Sequence, residues 1–195
     1  MSAVRVARSD DAATIARLHA TRITEGFLPT LGARFLTRLY RRVARSSRAF
    51  AVVATDESGA VVGFAAATTD LGALYREFVV RDGVVAGALA APRLVRSWRK
   101  VVETLRYPAA IGALPDAEIL AVAVDPALAG TGIGSRLVGA ATDELARRGV
   151  TAVKVVAGAD NVAALRLYER CGFTARERVA VHHGVASEVL VWPSS

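Results

Sequence analysis

Between residues 117 and 157 the chain runs strand, glycine turn, helix, strand, and this stretch constrains the fold more than any other. Ala117 to Val124 is an apolar strand stopped by Asp125-Pro126. Gly130-Thr131-Gly132-Ile133-Gly134 follows and opens a helix to Arg148, which Gly149 ends. A second strand runs from Thr151 to Ala157. Together these make a βαβ unit, so the two strands are expected side by side and parallel in one sheet. Glycines at 130, 132 and 134 leave the backbone N–H groups of the turn uncovered by side chains. With the dipole of the helix behind them, those amides suit an anion, typically a phosphate or pyrophosphate. A single glycine here would be as well explained by a tight turn with positive φ. Three at this spacing favour a ligand.

Several phosphate-binding patterns fail on inspection. A dinucleotide fingerprint ends in Gly or Ala where Ser135 stands, and the acidic residue expected about 20 positions later is missing. No Gly-Lys-Ser/Thr follows, which excludes a P-loop, and Ser135 does not satisfy the G-x-S-x-G elbow of a hydrolase. Metal chemistry is equally unsupported. Cys171 is the only cysteine and His19, His182 and His183 the only histidines, too few for a zinc pattern or a disulfide framework. The N-terminus builds no apolar signal core, and no apolar run approaches the about 20 residues of a membrane span. A cytoplasmic protein is the expectation.

The rest of the chain supplies elements for one domain over residues 1–195. Val4 to Arg8 alternates like a strand, and Ser9-Asp10-Asp11 offers N-cap chemistry to a helix with Ala13, Ile15, Ala16 and Leu18 inward. Residues 31–46 predict a second helix with two clean faces. Arg34, Arg38, Arg41, Arg42 and Arg45 lie on one, and Phe35, Leu36, Leu39, Tyr40 and Val43 on the other. Ala51–Ala54 and Val61–Phe64 flank a turn and predict a hairpin. Residues 69–117 break this rhythm with helical pieces, one interrupted by Pro92. Asp160-Asn161 caps a further helix to Arg170, and two strands, near 174–181 and 186–192, close the sheet.

Two stretches carry a family likeness. Glu118 to Pro126 followed by Gly130 to Gly134 resembles the acetyl-CoA motif of the GNAT N-acetyltransferase superfamily. Asn161, Ala164 and Leu167-Tyr168-Glu169-Arg170-Cys171-Gly172-Phe173 match its N-x-x-A-x-x-L-Y-E-x-x-G-F motif. The resemblance is clear over residues 118–175, softer over 3–68, and does not cover 69–117. It implies an α/β fold: a single GNAT-like domain with a mostly antiparallel mixed sheet, one parallel βαβ unit and helices on both faces. It further implies that Val122, Ala123 and Val124 pair with the pantetheine arm of acetyl-CoA, and that Gly130, Thr131, Gly132, Ile133, Gly134 and Ser135 hold its pyrophosphate. Asn161 then stands where the family hydrogen-bonds the cofactor, and Tyr168 where it protonates the leaving thiolate. Ala129 departs from the Arg or Gln that usually begins the turn, which removes a side chain but no backbone donor.

The implied activity is direct transfer of acetyl from acetyl-CoA, without metal, to a primary amine of a small molecule. Protein N-terminal or lysine acetylation, or a non-catalytic acyl-CoA-binding regulatory domain, are the alternatives. Direct transfer needs a base, oxyanion donors such as the N–H groups of 122–124, and a proton for sulfur. Glu118, at the head of the apolar strand, is the candidate base, against a solvent-facing residue at a strand start or a water relay. Tyr168 is the candidate acid, against a core aromatic beside Phe173. Cys171 reads as packing rather than nucleophile.

Charge divides unevenly. Residues 1–117 hold 17 Lys+Arg against 10 Asp+Glu, whereas 118–195 hold 8 of each, so the whole excess of +7 lies outside the cofactor motifs. Solvated helix faces account for this. The sharper reading is an anionic acceptor, such as a nucleotide-linked amino sugar or an acidic polypeptide. No nucleic-acid motif accompanies the charge, so no nucleic-acid partner is expected. Apolar residues of the insertion, Leu74, Tyr75, Phe78, Val79, Leu94 and Trp98, suit a lid, an acceptor wall or a homodimer contact.

Overall fold

The computed structural model describes residues 3–23, 31–74, 76–77, 114–182 and 185–193. Among these residues seven strands form one sheet: β1 (Ala3–Val6), β2 (Ala49–Thr55), β3 (Val61–Thr68), β4 (Glu118–Val124), β5 (Ala152–Gly158), β6 (Thr174–His182) and β7 (Val185–Pro193). Their spatial order is β1-β2-β3-β4-β5-β7-β6, antiparallel throughout except for the parallel pair β4–β5. Helices α1 (Ala12–Arg22) and α2 (Ala33–Val43) precede β2; α3 (Ile133–Arg147) makes the crossover from β4 to β5, and α4 (Val162–Arg170) follows β5.

Two apolar cores lie on opposite faces of the sheet. One joins α3 and α4 to Phe50, Val52, Ala65, Ile119, Val153 and Val155; the other joins α1 and α2 to Ala51, Val53, Phe64, Ala66, Ala121 and Ala123. The alternation of these strand residues between faces follows from the period of two. Alanine-rich β2 and β3 keep the central strands thin enough for close layers. A Cβ on Gly63 would stand 3.1 Å from both the Ala123 carbonyl oxygen and Leu137 Cδ1, so any side chain there would make β3, β4 or α3 give by a few tenths of an ångström.

Helix α2 repeats Arg at i+3 and i+4, and each like-charge pair opposes the helix by about 0.2–0.5 kcal/mol. Burial of Phe35, Leu36, Tyr40 and Val43 outweighs this, since one fully buried large side chain contributes about 1.5–3 kcal/mol. At the end of α3 the Gly149 and Val150 amides donate to Ala146 and Leu145, closing the helix as the sequence predicts. Arg148 then ties α3 to β2: it pairs with Glu144 at 2.8 Å, donates to the Ser47 carbonyl at 3.2 Å and lies 4.4 Å from the Phe50 ring centre.

Two local expectations need correcting. Asp11 does not cap α1. Its carboxylate accepts from the Arg8 amide at 2.7 Å and from the Arg5 guanidinium at 2.7 and 2.9 Å, bracing β1 against the 3-10 turn at Ser9–Asp11. Ala13 is exposed, and the buried face of α1 is Ala12, Ile15, Ala16, Leu18 and His19. Residues 71–74 and 76–77 are helical, as expected for the start of the insertion; the expectations for 78–113 and for Tyr75 lie outside the described residues.

Candidate functional site

The feature that makes a cleft is a failure of pairing. β4 and β5 are in register only at Glu118↔Lys154 and Ile119↔Val155, while β3 stays paired to β4 as far as Val124. Beyond Ile119 the two parallel strands diverge, and among the described residues no strand lies beside the β5-facing edge of Val122, Ala123 and Val124. A bulge assists: Ala67 pairs with Ile119 and Ala66 with Ala121, so Leu120 is an extra residue on β4. It reverses the facing of the strand. Ile119 joins the α3 core, yet Ala121, two residues on, joins the α1 core.

At the C-terminal end of β4 the chain passes through Pro126–Leu128 into the glycine turn. Gly130 and Gly132 have φ of 78° and 81°, a conformation that residues with a Cβ adopt at a cost, and a Cβ at either would meet nothing within 4 Å. Among the described residues no side chain caps α3. Its first amides, Ile133, Gly134 and Ser135, therefore face outward from a bare helix N-terminus, the arrangement that binds phosphate. Gly134 has a different use: a Cβ there would sit 3.4 Å from Leu167, so it sets the approach of α3 to α4. Thr131 Oγ1 donates to the Leu128 carbonyl at 2.7 Å and stiffens the turn. Asn161 Oδ1 accepts from the Ala164 amide at 3.1 Å and caps α4, leaving the two Nδ2 donors for other use.

Where the strands part, Glu118 and Lys154 stand side by side, 8% and 4% exposed. Glu118 Oε2 lies 3.5 Å from Lys154 Nζ but accepts no hydrogen bond from the described residues, an unusual state for a buried carboxylate oxygen. Lys154 Nζ donates instead to the Pro115 carbonyl. Burial pushes the Glu118 carboxyl up to about 7 against the downward pull of Lys154. The solvent-facing alternative for Glu118 is thus set aside. Tyr168 is buried with its ring 5.6 Å from that of Phe173. Burial raises its phenol well above the usual range, with the neighbouring Cys171 and Glu118 adding to the effect. Half-buried Cys171 is also pushed up by burial, which leaves it a thiol, in keeping with a packing role.

Sequence reasoning did not single out Lys154. Its signal was a charge inside the continuous apolar run of β5, one strand from Glu118. It also did not foresee His19, 3% exposed, whose Nδ1 is 2.6 Å from Tyr40 Oη and whose ring stacks on Phe64, with Nε2 buried and without a partner among the described residues. The arginines of α2 line a groove with Ser9 and Asp10. Among the described residues no helix is long and apolar enough to cross a membrane, and no group of three or more His, Cys, Asp or Glu is placed to hold a metal.

Comparison with known proteins agrees with this geometry. Over 58 residues the chain is 45% identical to the mycothiol acetyltransferase of Brachybacterium faecium, which covers 30% of this chain and 18% of that protein. With the Amycolatopsis mediterranei enzyme of the same name it is 39% identical over 80 residues, 41% of this chain and 26% of that protein. The chain thus matches only about a fifth to a quarter of the length of these relatives. In fold it is similar to the ribosomal-protein-S18-alanine N-acetyltransferase of Escherichia coli, with TM-score 0.64 and 16% identity over 100% of this chain and 95% of that one. It is likewise similar to yncA of Salmonella typhimurium, solved with its cofactor acetyl-CoA, with TM-score 0.65 and 21% identity over 100% and 95% of the two chains. The sequence profile of the Acetyltransferase (GNAT) family matches residues 20–173, and with most of its length so matched, this chain belongs to that family.

Proposed function

We propose that the protein transfers the acetyl group of acetyl-CoA to a primary amine of a small molecule. The observation that carries this reading is the buried, unsatisfied carboxylate oxygen of Glu118 at the root of the β4–β5 wedge. The open edge of Val122, Ala123 and Val124 suits an extended amide-bearing arm, and the bare N-terminus of α3 with its glycine cradle suits a pyrophosphate. Ala129 offers no side chain there, so binding rests on backbone amides. Acetyl-CoA, when bound, supplies the activated thioester.

The chain's own groups then perform three tasks. Glu118 takes the proton of the attacking amine; a group titrating near 7 is ionised often enough to accept it and basic enough to hold it. Backbone N–H groups on the open edge of β4 stabilise the charge that develops on the acetyl oxygen. Tyr168 stays protonated at all working pH values and donates a hydrogen bond to the departing sulfur. Its raised proton affinity makes full proton transfer to a thiolate less favourable than for an exposed tyrosine. Its contribution is therefore the hydrogen bond. The short stretches shared with mycothiol acetyltransferases support a small-molecule acceptor.

Release of free thiol from acetyl-CoA, followed against a panel of amino sugars, polyamines, aminoglycosides and peptide N-termini, tests the proposal. At least one small amine should turn over, and Glu118→Gln should lower kcat by about 10²–10⁴-fold while acetyl-CoA still binds. Binding without turnover on every amine class would replace the enzyme with an acyl-CoA-binding domain. Unchanged kcat in Glu118→Gln would remove Glu118 as the base.

A further inference from the structure

Of the 25 Lys+Arg residues only Lys100 and Lys154 are lysines, so this chain carries its positive charge almost wholly on arginine. Arginine also makes its ion pairs elsewhere: Arg5, Arg48, Arg147, Arg148 and Arg178 each hold a carboxylate. Lys154 is the exception. It stands between Val153 and Val155 in β5, 4% exposed, against Glu118. An arginine supplies positive charge to a carboxylate as well as a lysine does, but a guanidinium stays protonated and is no nucleophile. Lysine brings a primary amine, the group that the proposed reaction acetylates.

A general base serves an amine within hydrogen-bond reach of it, directly or through one water. Lys154 Nζ lies 3.5 Å from Glu118 Oε2, so an amine of the protein itself already stands beside the proposed base. Val153 and Val155 belong to the α3 core, which puts Lys154 and Val156 together on the opposite face of β5. Val156 lies past the last β4–β5 pair, where the two strands have parted. Lys154 and Val156 are about 6.6 Å apart along the strand, a span that the flexible four-carbon stem of lysine matches. Swung off the Pro115 carbonyl that now holds it, Nζ comes to the opening beside Val122, Ala123 and Val124. We infer that Lys154 is an internal acetyl acceptor, which takes the acetyl group from bound acetyl-CoA when no amine occupies the wedge. The inference rests on the acetyl transfer proposed above. In this step the ammonium gives one proton to Glu118 and the freed amine adds to the thioester carbonyl. The C–N bond forms, the C–S bond breaks, and the second nitrogen proton ends on sulfur, releasing free coenzyme A. The product is an uncharged amide. It removes the positive charge beside Glu118 and crowds the opening, so the acetylated protein turns over external amines more slowly.

The experiment incubates the full chain with acetyl-CoA and no acceptor, and follows intact mass, released thiol and a peptide map. A single acetyl group should accumulate on Lys154, matched by the thiol released, at a rate independent of protein concentration. Glu118→Gln should slow it by at least about tenfold. Lys100→Arg should leave it unchanged, and Lys154→Arg should abolish it. Should Lys154→Arg fail to fold, the peptide map of the parent chain still locates the acetyl group. A small amine that turns over should protect Lys154. Turnover of a small amine with no acetyl on Lys154 would overturn the inference and leave the transferase standing. Neither turnover nor modification would remove both. Equal acetylation of Lys100 or the α-amino group, a rate undiminished in Glu118→Gln, or a rate that grows with protein concentration would each overturn internal transfer.

Discussion

Glu118 and Lys154 occupy adjacent register positions with almost no water around them, and each makes the other tolerable. Removing the lysine does not leave a buried anion, because the carboxyl escapes by keeping its proton. Lys154→Met should therefore raise the proton affinity of Glu118 above its present value of about 7. Since the proposed base acts as carboxylate, the rise of kcat/KM with pH should move to higher pH in this variant. A pH–rate profile that stays in place would show that Lys154 does not govern the carboxyl. His19 gives a second pH effect, on stability. Burial holds its imidazole down at about 4 in the fold, against 6.5 unfolded. The stability tied to the neutral ring is thus whole above pH 6.5 and is lost as pH falls through about 4, a loss on the order of 3 kcal/mol. Glu118 works the other way, with stability falling as pH rises from 4.5 towards about 7. Thermal melts of His19→Gln across pH 4 to 7 should be flatter on the acid side than those of the parent protein.

Elements rest on positions where backbone, not side chain, makes the contact. Gly132→Ala forces a Cβ into left-handed geometry at the head of α3, costing about 1–2 kcal/mol, and should weaken coenzyme A binding as measured by calorimetry. Gly63→Val meets the Ala123 carbonyl and Leu137, so its expected cost is about 1–3 kcal/mol, visible as a lower Tm with the glycine turn untouched. At this scale the sequence was largely readable. The glycine turn, the βαβ unit, the hairpin and the two-faced α2 all follow from periodicity and punctuation over a few neighbouring residues. What escaped depends on partners distant in sequence. Asp11 looked like a cap because its pairing with Arg5 is set by how β1 meets the turn. The bulge at Leu120 exists only relative to β3. Lys154 gained meaning only when β5 was laid beside β4, and the groove on α2 needed Ser9 as its second wall.

The two apolar cores on opposite faces of one sheet are joined through strands that separate in the middle. Binding at that separation should act on the molecule as a unit. Acetyl-CoA at about 100 times its Kd should add about 2.7 kcal/mol to stability. Amide exchange should slow along both Ala121–Val124 and the facing part of β5, while β6 and β7 stay as they were. Protection confined to the glycine turn would mean that the arm does not lie between the strands. A sheet normally exposes unpaired backbone only at its two outermost strands, where charged residues or short length discourage self-association. Here, among the described residues, an additional length of unpaired β4 backbone lies in the interior. Any extended peptide, including a strand from another copy, meets a ready template there. With the coenzyme arm on that edge, as proposed, the coenzyme shields the sheet's own centre, and light scattering should show the protein clumping more readily once its ligand is removed.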